Sequence, residues 1–247
     1  MQAGLSVFSP RRQYTATNSL ANGNGGAFTI APGKVESGSE YFPIPYFAKT
    51  WARANDAALG VAVYGRGGMN TDYTSGAALF DPDGPGPAPV MRSPGSLGAG
   101  DAGVDLNQLF AEIAWADRLN DTLTWGVSGI FTAQSFEATG TLSLAPYTQT
   151  FARSGGRSMP ANMSNNGHDL STGYGAKAGL HWQPSARLRA SLSYQSRITM
   201  SEFDDYSDLF AAGGNFDIPQ NIRFGVSWDY SDRVTLTTTR TTPTTGI

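Results

Sequence analysis

Side chains in this sequence change character at every second residue over long stretches. Between 188 and 200, Leu188, Ala190, Leu192, Tyr194, Ile198 and Met200 share one parity, while Arg187, Arg189, Ser191, Ser193, Gln195, Arg197 and Thr199 share the other. Successive strand side chains point to opposite faces, so the alternation predicts a strand that is apolar on one side and polar on the other. The same split sets Ile222, Phe224, Val226, Trp228 and Tyr230 against Arg223, Gly225, Ser227 and Asp229. It also sets Tyr174, Ala176, Ala178, Leu180 and Trp182 against Gly175, Lys177, Gly179 and His181. Leu123, Trp125, Val127 and Phe131, then Leu109, Ala111, Ile113 and Trp115, then Leu59, Val61 and Val63, mark further strands. With weaker segments near 3–14, 43–53 and 233–240, the pattern predicts about nine strands, most of them roughly ten residues long.

The connections alternate as well. Short polar turns fall at Ala54-Asn55-Asp56, Leu119-Asn120-Asp121, Gln183-Pro184-Ser185 and Ser231-Asp232, and long connections fall near 15–42, 69–105, 138–170 and 201–218. A soluble sandwich has no reason to collect its long loops at one end. A barrel in the outer membrane does, with short periplasmic turns and long external loops. All five tryptophans (Trp51, Trp115, Trp125, Trp182 and Trp228) lie beside a short turn. Indole favours the membrane–water boundary, so this clustering predicts a girdle at the periplasmic rim.

Composition fits that picture. Only 15% of the 247 residues are charged, the formal net charge is −3, and cysteine is absent. Such a balance argues against a nucleic-acid binder, which would carry a basic excess, and it excludes disulfide and thiolate-metal chemistry. No stretch approaches the length of apolar residues a transmembrane helix needs, but strands cross a membrane without one. Met1-Gln2-Ala3-Gly4-Leu5 shows no secretory leader, which implies one already removed or a chain that begins inside a longer one. Toward the other end, Thr235 to Ile247 loses its alternation, which predicts a barrel cut short before it closes.

Particular strings carry a resemblance. They are Val7-Phe8-Ser9-Pro10-Arg11-Arg12, Val35-Glu36-Ser37, Tyr41-Phe42-Pro43-Ile44-Pro45 and Ala62-Val63-Tyr64-Gly65-Arg66-Gly67-Gly68-Met69-Asn70-Thr71-Asp72-Tyr73. Later come Ser164-Asn165-Asn166-Gly167-His168-Asp169, Tyr194-Gln195-Ser196, Met200 to Tyr206 and Phe216-Asp217-Ile218-Pro219. In order and spacing these resemble the FadL/TodX-type outer-membrane transporters of Gram-negative bacteria, which take up long-chain fatty acids and aromatic hydrocarbons. The resemblance implies a transmembrane antiparallel up-and-down barrel of about fourteen strands, of which about nine are present. It also implies an N-terminal hatch, here missing, and cargo captured among external loops and passed through the wall. Residues 1–247 then read as a single incomplete barrel domain, surrounded by outer-membrane lipid and acting as a monomer on a hydrophobic small molecule.

Candidate sites follow from apolar groups that folding does not obviously require. Leu142, Leu144, Tyr147 and Phe151 lie in one long loop and Tyr206, Leu209 and Phe210 in another, where they would either contact cargo or hold the loops together. Phe110, Ile130 and Phe136 interrupt polar rows on the lumenal parity, and would either form a greasy stripe or pack against a hatch. Arg189, Arg197 and Arg223 point inward by the same parity, either to attract a carboxylate or to pair with groups such as Glu112 and Asp229. Gly65-Arg66-Gly67-Gly68 lacks the Lys-Ser/Thr of a phosphate loop and reads as a strand-to-loop exit.

Chemistry on bound substrate is not expected. His168 beside Asp169 and Ser171 reads as a turn before a strand rather than a triad. His168 and His181 have no second ligand near them in sequence, and Asp81-Pro82-Asp83-Gly84-Pro85-Gly86 suits a loop better than a calcium cage, so no metal or other cofactor is expected. The leading expectation is a channel for passive uptake of hydrophobic compounds. A structural or adhesive barrel whose loops bind a partner is the alternative.

Overall fold

The computed structural model describes residues 1–17, 27–83, 86–210, 212–231 and 234–243. Its strands, in chain order, are β1 (Gln2–Phe8), β2 (Gln13–Ala16), β3 (Ala27–Ile30), β4 (Gly33–Glu36), β5 (Phe42–Ala52), β6 (Ala58–Tyr73), β7 (Ala77–Asp81) and β8 (Met91–Pro94). Then follow β9 (Ala102–Asn120), β10 (Leu123–Thr139), β11 (Asp169–Ser185), β12 (Leu188–Gln195), β13 (Thr199–Met200), β14 (Asn221–Ser231) and β15 (Val234–Pro243). One short helix, α1 (Gln149–Arg153), lies between β10 and β11. The main sheet runs β1-β5-β6-β9-β10-β11-β12-β14-β15, every neighbour antiparallel, with β13 attached to β11. This is a nine-strand up-and-down wall with two open edges, a partial barrel as the alternation predicts.

Cross-strand partners show which face is which. One row joins Trp51, Leu59, Trp115, Val127, Ala178, Tyr194 and Ile222, and the next joins Phe47, Val63, Ala111, Phe131 and Tyr174. These rows are exposed and almost wholly apolar; Ile113, between them, is 64% exposed. The other parity of β9 and β10 is buried and includes Phe110, Ser128, Ile130, Thr132, Gln134 and Phe136. An apolar outside around a partly polar inside is the reverse of a soluble fold and fits lipid as the outer solvent. Cross-strand register puts all five tryptophans on the outward parity, each near a short connection.

Strands β6, β9, β10 and β11 span 16, 19, 17 and 17 residues. A tilted strand needs only about ten residues to cross a bilayer, so these four carry the wall well beyond it on the side of the long connections. There the strands β2 and β4 form one ribbon, and β3, β7 and β8 a second small sheet, above the wall.

Two sequence expectations are corrected. Gly65-Arg66-Gly67-Gly68 is no strand exit: β6 continues to Tyr73, and the register against β9 slips between Gly65 and Gly68. The run 188–200 is not one strand, since β12 ends at Gln195. The break at 196–198 turns Ile198 and Met200 from the outward parity into the lumen, where both are buried. A one-residue irregularity suffices, because the side-chain period is two. The weaker strand expected near 233–240 is present as β15, which runs on to Pro243 paired along β14. Residues 244–247 and Asp232 of the last turn lie outside the described residues.

Candidate functional site

On the side of the long connections, residues 140–168 and 196–220 fold against each other. Residues 142–147 form a 3₁₀ turn containing Pro146, after which Thr148 caps α1 by accepting from Phe151 N at 3.3 Å. Asp208 joins the two connections. Its carboxylate accepts from the Thr150 hydroxyl and from Asn162 N (3.0 Å), and its own N–H donates to Asn162 O at 2.9 Å. Beside this tie lies a cavity of about 520 Å³ lined by Leu144, Tyr147, Met163, Leu209 and Phe210, with Arg153 and Asp208 among its polar groups. That volume and an apolar lining suit a small organic molecule.

Phe210 also reaches inward. Its ring lies 5.1 Å from that of Phe136 on the lumenal face of β10, and Phe203 and Tyr206 pack on Phe136 at 5.5 and 4.9 Å. Leu106 and Ala138 complete this cluster. Tyr206 is fully buried there, its hydroxyl donating to Gly167 O at 2.6 Å, and burial pushes its phenol above the ordinary tyrosine value. A second cluster, deeper and separated from the first by the Gln108–Gln134 row, holds Phe110, Ile130, Ile198 and Met200, with Tyr64 stacked on Phe110 at 5.4 Å. Close approach makes this seam possible: a Cβ on Gly173 would lie 2.3 Å from Thr199 O, so only glycine lets β13 lie so close.

The slip in β6 borders a void, the wall passage. A cavity of about 620 Å³ runs past Gly65 and Gly68 and touches both faces, with Leu106, Gln108 and Gln134 on the inward parity and Leu109, Ala133, Ser135 and Leu170 on the outward one. Phe8, Phe42, Pro43 and Pro45 border it from β1 and β5. Two prolines in β5 cannot donate ladder bonds, and Gly68, at φ +156°, leaves Leu106 O only 3.0 Å from where a Cβ would sit. Each feature weakens pairing where the passage runs.

Of the sequence candidates, Leu144, Tyr147, Leu209 and Phe210 meet at the loop cavity. Leu142 is exposed nearby in sequence but is not part of its lining, and Phe151 is half-buried in α1. Phe110, Ile130 and Phe136 face the lumen and are buried, but their partners come from 198–218 and from β6 and β9. Tyr206 belongs to the wall cluster rather than the cavity. Sequence reasoning missed Leu106, Gln134, Ile198 and Met200. Gln134, two residues before Phe136 on the same inward face and opposite Gln108, was the available signal.

Several of the inward charges pair with one another, and Arg66 donates to Gln195 Oε1 at 3.1 Å. Lys177 Nζ lies 3.0 Å from both oxygens of Glu112, which also accepts from Ser128 (2.6 Å) and Tyr64 (3.0 Å). Arg189 donates to both oxygens of Asp229 at 2.9 and 2.8 Å, and Arg197 stands 3.6 Å from Asp217. His168 lies between Asp105 (3.2 Å) and Glu137 (3.1 Å), while the Ser171 hydroxyl is donated to Ser201 O. Among the described residues, no group of three or more His, Cys, Asp or Glu side chains is placed to hold a metal ion.

An antiparallel wall, apolar outside, with one slipped strand and a cavity among its long connections, defines a partial up-and-down β-barrel. Solved structures share this fold. The chain superposes on the toluene transporter TodX of Pseudomonas putida with a TM-score of 0.59 at 14% identity, covering 95% of this chain and 59% of that one. For the toluene transporter TbuX of Ralstonia pickettii the TM-score is 0.54 at 16% identity, covering 96% and 60%. For a FadL homologue of Pseudomonas aeruginosa it is 0.50 at 16% identity, covering 97% and 58%. The chain therefore spans about 59% of the length of the TodX structure it matches and has its fold. No family model and no curated protein sequence matches it.

Proposed function

We propose that this wall belongs to a channel in the outer membrane of a Gram-negative cell, through which hydrophobic small molecules enter by passive diffusion. The observation that carries the reading is a chain of packed apolar side chains running between the two cavities. Leu209 and Phe210 line the external cavity, Phe210 packs on Phe136, Phe136 is opposite Leu106 in the register, and Leu106 lines the wall passage. Cargo captured among the loops passes along these side chains and leaves sideways between β5, β6 and β9. Each handover keeps an apolar solute out of water, so the route needs no energy source. The short turns face the periplasm, the wall works as a monomer in lipid, and no chemistry is done on the cargo.

The solved structures that share the fold support the cargo class, two of them being toluene transporters by name. The test is uptake of labelled toluene, p-cresol and a long-chain fatty acid into cells of a transport-null strain. These cells express the protein with its full flanking coding sequence. Entry of at least one above the null cells is the expected result, and no excess for any of them refutes the proposal.

A further inference from the structure

We infer that the wall passage selects cargo carrying a hydroxyl group on an otherwise apolar frame. This rests on the channel reading above and names the class of molecule it takes. Gln134 lines the passage, is 0% exposed, and neither its amide nitrogen nor its amide oxygen has a hydrogen-bond partner. Thr132, two residues away on the same inward face of β10, is equally buried, and its Oγ1 is also unpartnered. Three such atoms on neighbouring side chains are unusual, since buried polar groups are nearly always paired.

The surroundings make these groups conspicuous. In the cross-strand register, Gln134 is flanked by Gln108 and Ser171, so its level is neutral and polar. One level above stand Leu106 and Phe136; one below, Phe110 neighbours Thr132. The lumenal ion pair of Glu112 and Lys177 is deeper, and Asp105, Glu137 and His168 lie farther out. Among the described residues, the only charged one lining the passage is Arg12, which donates to Ser39 O at 2.7 Å and covers the Phe42 ring at 5.1 Å. Its Nε is unpartnered too, but it can only donate.

Complementarity then decides the head group. A primary amide presents a donor and an acceptor, and a hydroxyl satisfies both with one oxygen. A carboxylate only accepts and would leave the Gln134 oxygen facing its lone pairs. A bare hydrocarbon pairs with neither, and would cross this level with the amide still unsatisfied. Sites built to bond a hydroxyl reject the analogue that lacks it for this reason.

The test compares p-cresol, toluene and p-toluate, one ring with three substituents, in the same cells. The protein is expressed with its full flanking coding sequence, and folding is checked by heat-modifiable gel mobility. Initial uptake above the null cells should favour p-cresol over toluene by roughly tenfold, the effect of one hydrogen bond at a desolvated site. Gln134→Leu should bring that ratio close to one. If Gln134→Leu does not fold, Thr132→Val, of nearly the same shape, should at least halve the ratio. Toluene entering as fast as p-cresol in the unaltered protein overturns the inference and assigns the amide to trapped water, with the channel still standing. Faster entry of p-toluate than of p-cresol overturns it as well. A p-cresol preference untouched by the folded variant also overturns it. No entry of any of the three, nor of the fatty acid, instead sinks the channel reading itself.

Discussion

Phe136→Ala tests whether one ring holds the external connection to the wall. Phe136 is 2% exposed and is touched by Phe203, Tyr206 and Phe210 at ring separations of 5.5, 4.9 and 5.1 Å. Removing a buried phenyl costs about 3–5 kcal/mol where the cavity cannot collapse, and the three ring contacts account for about 0.5–1.5 kcal/mol each. The β10 ladder to β9 and β11 does not depend on this side chain. The loss should therefore fall on residues 201–216 and not on the barrel. A cost of about 3 kcal/mol corresponds to an opening equilibrium shifted more than a hundredfold. Hydrogen exchange in detergent micelles measures it. Amides bonded within the connection, such as Phe203 N to Gly214 O and Tyr206 N to Phe203 O, should exchange over a hundred times faster, while β10 amides stay protected. Unchanged protection in 201–216, or equal loss in β10, would refute the reasoning.

Further perturbations reach other parts of the account. Ile113→Lys places a charge on the lipid-facing row and should cost about 2–4 kcal/mol near mid-bilayer, seen as a lowered urea midpoint for folding into vesicles. Asp208→Ala removes the acceptor that joins Thr150 and Asn162 across the two connections, each charge-assisted bond being worth about 1.5–3 kcal/mol. It should speed proteolysis near 145–165 and slow uptake at low cargo concentration. Gly68→Val, placed where φ is +156° and Leu106 O is 3.0 Å from the new Cβ, should narrow the passage and cut uptake several-fold without unfolding the wall. Burial raises the Tyr206 pKa, so its share of stability is complete below about pH 10 and is lost as pH climbs from there through its raised value. Tyr206→Phe should remove that alkaline step in a pH series of exchange rates.

The wall was legible because lipid and lumen impose opposite demands at adjacent positions, and residues such as Trp115, Val127 and Leu192 announce their side by parity alone. The alternating lengths of the connections gave the handedness of the two ends in the same way. Local irregularities were not legible. A slipped register leaves the composition of 65–68 unchanged, and the break after Gln195 moves Ile198 and Met200 inward without altering their apparent rhythm. Loop residues divided according to long-range packing. Tyr147 and Leu209 share a cavity with Met163, but Tyr206, one turn from Leu209, is claimed by Phe136 in a strand some seventy residues earlier. No pattern in a single loop carries that information.

The central claim is that odd and even positions of β10 meet different solvents. These 247 residues contain no cysteine, so single spin labels can be placed at each residue from 126 to 133 once any cysteine in the flanking sequence is replaced by serine. The labelled protein, expressed with its flanking coding sequence and reconstituted in bilayers, is then probed by oxygen and by a water-soluble nickel relaxer. The account predicts a two-residue oscillation, with oxygen collisions high at 127, 129 and 131 and low at 128, 130 and 132. No oscillation, or high nickel access at the odd positions, would contradict it.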